Sequence, residues 1–210
     1  MNTFSGSECI RFGWESFKKR SWFFIGVTLL VAILSGIAST IGSSFGHAGS
    51  AQGIGSIISF VLGTFIGLGV TAFFLKAHDS LDTVQSNDLW HPQLFLSFLA
   101  VRLLVGVIVV IGFVLLIVPG AIAGLMFMFA SYIVVDKGLG PIEAMKESKR
   151  ITDGHKWSLL GFVLLLVLLN ILGLVCLVVG LLVTVPVTSL AVVHAYRTLS
   201  AHTHPHVEAA

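Results

Sequence analysis

From residue 21 onward the chain alternates long apolar blocks with short polar interruptions. The blocks run at about 21–42, 54–75, 94–118, 119–135, 157–179 and 181–199, and charge is almost absent inside them. An α-helix needs roughly 20 apolar residues to cross a hydrocarbon core about 30 Å thick. Only the fourth block, at 17 residues, is short of that length. Within hydrocarbon every backbone N–H and C=O must be paired inside its own segment, so blocks of this kind predict helices. The pattern thus predicts an all-α, polytopic integral membrane protein with six transmembrane helices.

Pro119-Gly120 interrupts the 42-residue apolar stretch 94–135. One continuous helix of that length would measure about 63 Å, too long for a single crossing. Proline removes a donor and clashes with the turn before it, and glycine permits a sharp reversal. A tight turn at Pro119 and Gly120 is expected, and the six spans then pair as three tandem hairpins. Each is preceded by a polar stretch ending in tryptophan: Trp22, Trp90 and Trp157. The run from Ile111-Gly112 to Pro119 resembles the run from Val179-Gly180 to Pro186, which points to a duplicated hairpin. Gly63-x-x-x-Gly67 and Gly120-x-x-x-Gly124 predict close helix approach within the chain.

Two short segments outside the blocks are also helical in pattern. Residues 7–20 place Ile10, Trp14 and Phe17 on one face, so 1–20 is read as an amphipathic interfacial helix. Residues 141–152 open with Pro141 and Glu143 and close with Lys149, Arg150 and Gly154, a polarity that suits the helix dipole. The membrane domain is then 21–199, and 200–210 is a polar tail.

Charge orients this arrangement. Arg11, Lys18, Lys19, Arg20, Lys76, Lys137, Lys146, Lys149, Arg150, Lys156 and Arg197 all fall on one side of the spans. The twelfth basic residue, Arg102, lies inside the third span, and the connections on the opposite side are uncharged. Basic residues stay in the cytoplasm, so both termini are expected there. The tryptophans, Trp14 included, gather at the same ends of the spans. The polar lead of about 20 residues is long for a signal peptide, so the first span is expected to be retained.

Composition agrees: 56% of residues are hydrophobic and 10% charged, against about 25% charged in a soluble domain. A net charge of +2 with no basic stripe gives no reason to expect nucleic acid. Cys9 falls on the cytoplasmic side and Cys176 in a span, so no disulfide is expected.

Candidate chemistry is sparse. The acidic residues lie in polar segments, span ends and the tail, without paired-carboxylate or metal-ligand spacing. His78-Asp79 reads as a solvated pair, and His202, His204 and His206 as part of a frayed tail. No catalytic residue, cofactor or metal site is expected, and the chain does not read as an enzyme. Within the spans Arg102, Asn170 and His194 stand out, with Asp136 at the end of the fourth. Arg102 is expected to face the bundle interior and find carbonyls, His194 or a lipid phosphate. A direct pair with Asp136 is disfavoured by the axial gap between them. Asn170 is expected to hydrogen-bond between helices.

Residues 108–199 carry a recognisable set of landmarks. They are Gly112, Ile117-Val118-Pro119-Gly120, the run from Val134 to Ala144, Ser148, Thr152-Asp153-Gly154, Leu172-Gly173, Val185-Pro186 and Tyr196-Arg197-Thr198-Leu199. Together with Gly13-Trp14-Glu15-Ser16-Phe17-Lys18 they resemble a family of bacterial six-span membrane proteins of unknown function. That family is related to the membrane domain attached to some glycerophosphodiester phosphodiesterases. The resemblance implies a multi-pass protein of the bacterial inner membrane, without the phosphodiesterase activity, whose soluble domain this sequence lacks. Two functions fit: an accessory, scaffold or lipid-organising subunit, or alternatively a transporter or channel for a lipid-like or small amphipathic molecule. Few polar residues are available to line an aqueous path, which favours the first. The partners to expect are membrane lipids, and another integral membrane protein or a second copy of the chain.

Overall fold

The computed structural model describes residues 5–46, 52–79, 92–176 and 180–203, and their regular structure is helical throughout. The elements are α1 (Gly6–Lys19), α2 (Ser21–Gly46), α3 (Gln52–Asp79), α4 (Pro92–Leu115), α5 (Ile117–Phe127), α6 (Ala130–Lys137), α7 (Pro141–Thr152), α8 (Lys156–Val175) and α9 (Leu181–Thr203). Among the described residues, six helical stretches are long and apolar enough to cross a membrane. They are Ser21–Ile41, Gly55–Asp79, Leu94–Leu115, Ile117–Lys137, Lys156–Val175 and Leu181–Ala201. Large apolar side chains cover the outside of these helices, among them Leu30, Ile57, Val110, Leu164 and Val175. Such a surface needs hydrocarbon around it. The chain is a multi-pass α-helical membrane protein.

Three hairpins are present: α2 with α3, α4 with α5 and α6, and α8 with α9. Phe17, Phe24, Phe73 and Phe74 interlock where the first hairpin meets α1. Phe98, Phe129, Ile133, Leu190 and Tyr196 fill the centre.

The reversal of the second hairpin lies at Leu116, not at Pro119-Gly120. Leu116 is extended (φ −165°, ψ 146°) and α5 begins at the next residue. Pro119 therefore sits in the first turn of α5, where a backbone N–H has no intrahelical partner and its loss costs nothing. Gly120 packs back on α4: a Cβ there would come 2.7 Å from the Phe113 nitrogen. The fourth apolar stretch gains length at both ends and measures 21 residues. It bends at residues 128–129, and the Met126 carbonyl just before the bend accepts from Ser148 Oγ at 2.7 Å and Thr152 Oγ1 at 3.4 Å. These bonds clamp α7 to the bend.

The likeness between 111–119 and 179–186 does not carry over to position in the hairpin. Gly112 lies in α4 before its reversal, whereas Gly180 lies after α8 and touches Gly173 across the turn. The equivalent close pairs are Gly112–Gly120 and Gly173–Gly180. Of the two small-residue motifs, Gly67 and Gly120 make close contacts, while Gly63 and Gly124 have open space where a Cβ would go.

Helix α1 packs along α9 with a face rotated from the one expected. Its buried residues are Cys9, Gly13, Ser16 and Phe17, and Trp14 is exposed with Lys18 over its ring. A Cβ on Gly13 would overlap the Val187 carbonyl, so contact with the α9 backbone, not side-chain apolarity alone, selects the face. Burial also pushes the Cys9 thiol up to about 11. At the other terminus α9 continues to Thr203, past the expected start of the tail. Trp90, His204, His206 and the His202 side chain lie outside the described residues.

Candidate functional site

Polar side chains from α3, α6 and α9 meet where the basic ends of the three hairpins converge. Asp136 is in the last turn of α6, Arg197 two turns before the end of α9, and Asp79 closes α3. The Arg197 guanidinium lies fork-on against Asp136, with Nη1 2.9 Å from Oδ2 and Nη2 2.8 Å from Oδ1. Nη2 also donates to Asp79. A planar guanidinium matches two carboxylate oxygens at once, which a lysine could not do. The Tyr196 hydroxyl donates to Asp136 Oδ2 at 2.7 Å, and its ring, fully buried, packs against Phe129 and Tyr132.

Two histidines extend the network. His78 Nδ1 is 3.1 Å from Asp79 Oδ1, and its Nε2 is 3.1 Å from His194 Nδ1. A carboxylate only accepts, so His78 Nδ1 carries the proton given to Asp79. A neutral His78 then accepts at Nε2, which places the His194 proton on Nδ1. Phe12 of α1 stacks on the His194 ring at 4.1 Å between centroids. The linked series His194–His78–Asp79–Arg197–Asp136–Tyr196 thus joins one helix of each hairpin, with α1 laid over one end. With neutral histidines its formal charge is one negative, from two carboxylates and one guanidinium.

The sequence-derived candidates are distributed unevenly over this site. Asp136 and His194 belong to it, with partners other than those expected, and His78-Asp79 is part of it and not simply solvated. Arg102 does not join. It is exposed on α4, its guanidinium over the Phe98 ring at 5.5 Å and against the Gly67 backbone, with no hydrogen bond among the described residues. Its expected position facing the bundle interior is corrected: Phe98 and Val101 take the inward face of α4 and turn Arg102 to its flank. Asn170 donates from Nδ2 to the Leu166 carbonyl of its own helix at 2.9 Å, and among the described residues it makes no bond to another helix. Its Oδ1 is buried without a partner among the described residues. Pro119 and Gly120 are at the opposite end of the bundle, as described above.

Arg197 and Tyr196 were passed over as site residues because their signals were weak. Arg197 counted only as one of many basic residues, and Tyr196 as a landmark. A carboxylate ending one span and an arginine just inside another was the available clue.

In chemical terms the site holds charge in place. Each carboxylate oxygen of Asp79 and Asp136 faces a donor. Among the described residues, no three His, Cys, Asp or Glu side chains converge as metal ligands. Outside the network, Glu147 of α7 pairs with Lys137 and Arg150, and Asp153 pairs with Lys156 across the connection from α7 to α8. The hydrogen bond and charge of Lys156 hold the Asp153 carboxyl below its usual range.

Comparison with known proteins adds relatives and no activity. An uncharacterised protein of Mycobacterium tuberculosis, Rv2560, is 29% identical over 154 residues, covering 73% of this chain and 47% of the relative. The uncharacterised protein Mb2590 of Mycobacterium bovis matches with the same identity and coverage. The chain spans about half the length of the curated relatives it matches. No solved structure matches it. Residues 100–203 match the family model described as "Protein of unknown function (DUF975)", a stretch that contains Arg102, Asp136, Tyr196 and Arg197.

Proposed function

We propose that this protein is a non-catalytic component of the bacterial inner membrane, with both termini in the cytoplasm. It acts as an accessory or lipid-organising subunit, packing against lipid and against other membrane proteins. The observation that carries this reading is the engagement of its polar side chains. Asp79, Asp136, Arg197, Tyr196, His78 and His194 bond one another and tie the hairpins together, with Arg197 Nε buried and without a partner among the described residues, while apolar residues face outward. A network of charge-assisted bonds fixes one arrangement of the hairpins, and its groups are engaged mainly with one another.

Native mass spectrometry of gently solubilised protein tests the reading. The expected spectrum retains phospholipid or a second membrane protein in defined stoichiometry. A spectrum showing only bare monomer, from a sample that remains folded, would refute it.

A further inference from the structure

Arg102 carries the one full charge of α4 and has no counter-ion among the described residues. Asp79 and Asp136 are held by Arg197, and Glu147 by Lys137 and Arg150. The Arg102 side chain folds back over Phe98, one turn nearer the basic end, with Cζ 5.5 Å from the ring centroid. The neighbouring α6 marks the level of that turn. A Cβ at Gly138, the residue that caps α6, would lie 3.9 Å from Leu94 Cδ2, so Leu94 is level with the chain just past Asp136. Phe98 is one turn, about 6 Å, deeper. Leu96, Leu103 and Leu104 are 74%, 53% and 38% exposed, so hydrocarbon covers α4 outward to Leu96. The guanidinium therefore lies just inside the hydrocarbon edge, where a charge is costly unless an anion meets it.

We propose that Arg102 binds the phosphate of an anionic phospholipid in the groove between α3 and α4. The lipid belongs to the leaflet on the basic side, the cytoplasmic one in the orientation proposed above. The guanidinium lies against the α3 backbone: a Cβ on Gly67 would be 3.0 Å from its Nη1. Its planar fork presents paired donors to two phosphate oxygens. Helix α6 packs against both helices and carries Tyr132. The Tyr132 hydroxyl is within electrostatic reach of Arg102 and makes no hydrogen bond among the described residues, so it is available as a second donor. Gly63 and Gly106 lie one turn further from the basic end, on the same helix faces as Gly67 and Arg102. Both have open space where a Cβ would go. An acyl chain running inward from the phosphate finds that strip free of side chains, and this is the direction in which the leaflet orients its lipids. Other anions fit less well. A partner helix would have to bury its own carboxylate at this level, and free phosphate would have to leave water.

The site deepens the lipid-organising role proposed above and rests on it. In the test, full-length protein in detergent is titrated with phosphatidylglycerol or phosphatidylcholine of equal chain length, and native mass spectrometry resolves each bound lipid. The first phosphatidylglycerol should bind the parent several-fold more tightly than phosphatidylcholine does. Arg102→Leu should lose most of that preference, whereas Lys149→Leu, which removes an exposed lysine of α7, should keep it. Arg102→Lys, with the charge but not the fork, should fall between them. An undiminished preference in R102L, or an equal loss in K149L, would overturn the proposal. So would displacement of the lipid by excess inorganic phosphate, which would make this a site for free anions. If R102L sheds a second membrane protein and keeps its lipid, the ligand is a partner's carboxylate and the proposal is likewise overturned. Arg102→Gln repeats the measurement should R102L fail to fold. Lipid that binds the parent without regard to Arg102 sinks this site alone; a parent that retains neither lipid sinks the lipid-organising role with it.

Discussion

The two ends of the bundle are held by different physics. At the basic end three hairpins meet through side chains, and the Asp79–Arg197–Asp136–Tyr196 series sets which helices touch. At the opposite end the contacts are backbone to backbone, Gly112 on Gly120 and Gly173 on Gly180, within single hairpins. Glycine contacts let two helices approach but do not specify which hairpin lies beside which. Directional, charge-assisted bonds do. The comparison teaches that each hairpin closes locally at its tip, and that their assembly is decided where the charges are.

Breaking the polar end should have the largest effect. Arg197→Leu leaves two carboxylates facing each other without their shared cation. Removing one partner of a buried pair costs about 3–5 kcal/mol, and partial exposure reduces this to about 2–4 kcal/mol here. Denaturation in mixed detergent micelles should show that loss, and adding Asp79→Asn with Asp136→Asn should recover part of it. An R197L variant as stable as the parent would remove the basis for the contrast between the ends.

The tips sharpen it next. Gly120→Ala forces a Cβ into the Phe113 backbone and should cost about 1–3 kcal/mol. Gly124→Ala, one turn on with open space around it, should be neutral or slightly stabilising, because alanine is the better helix former. Equal effects at the two positions in the same assay would mean that the Gly112–Gly120 contact is not what closes the hairpin.

A smaller effect is expected at Arg102. It has no ion pair among the described residues and stands clear of the network, so Arg102→Leu should alter stability by less than about 1 kcal/mol. A loss comparable to R197L would place it in the assembly after all.

Much of this molecule was legible in the sequence. The apolar blocks, their pairing and the one-sided charge follow from the absence of water in hydrocarbon, which leaves the backbone only one local solution. The turn at Leu116 was missed because Pro119 looks the same whether it ends one helix or begins the next. The Arg197 pairs were missed for another reason: its partners are 61 and 118 positions away, and no local pattern reports such distances. For α1 the apolar stripe suggested Ile10, Trp14 and Phe17. Phe17 is buried as expected, but Cys9, Gly13 and Ser16 take the places expected of Ile10 and Trp14, because the α9 backbone comes too close at position 13 for any side chain.

Cys9 gives the most modest prediction. With its thiol pushed up to about 11, roughly one molecule in a thousand is thiolate at pH 8. The raised value means that folded protein favours the neutral thiol, a preference fully present below the ordinary thiol value and lost as pH rises from there through about 11. Iodoacetamide should therefore leave Cys9 unmodified at pH 8 until the protein is unfolded. Rapid alkylation of the folded protein would show that α1 does not stay seated on α9.

The account rests most heavily on the two ends of the bundle lying on opposite faces of the membrane, with charge inside. Single cysteines at Ser50, Lys146 and Ala201, in a background lacking Cys9 and Cys176, test this in intact cells with a membrane-impermeant maleimide. The account predicts labelling from outside at S50C alone, with K146C and A201C reacting only after the membrane is opened. Labelling of K146C in intact cells would contradict it.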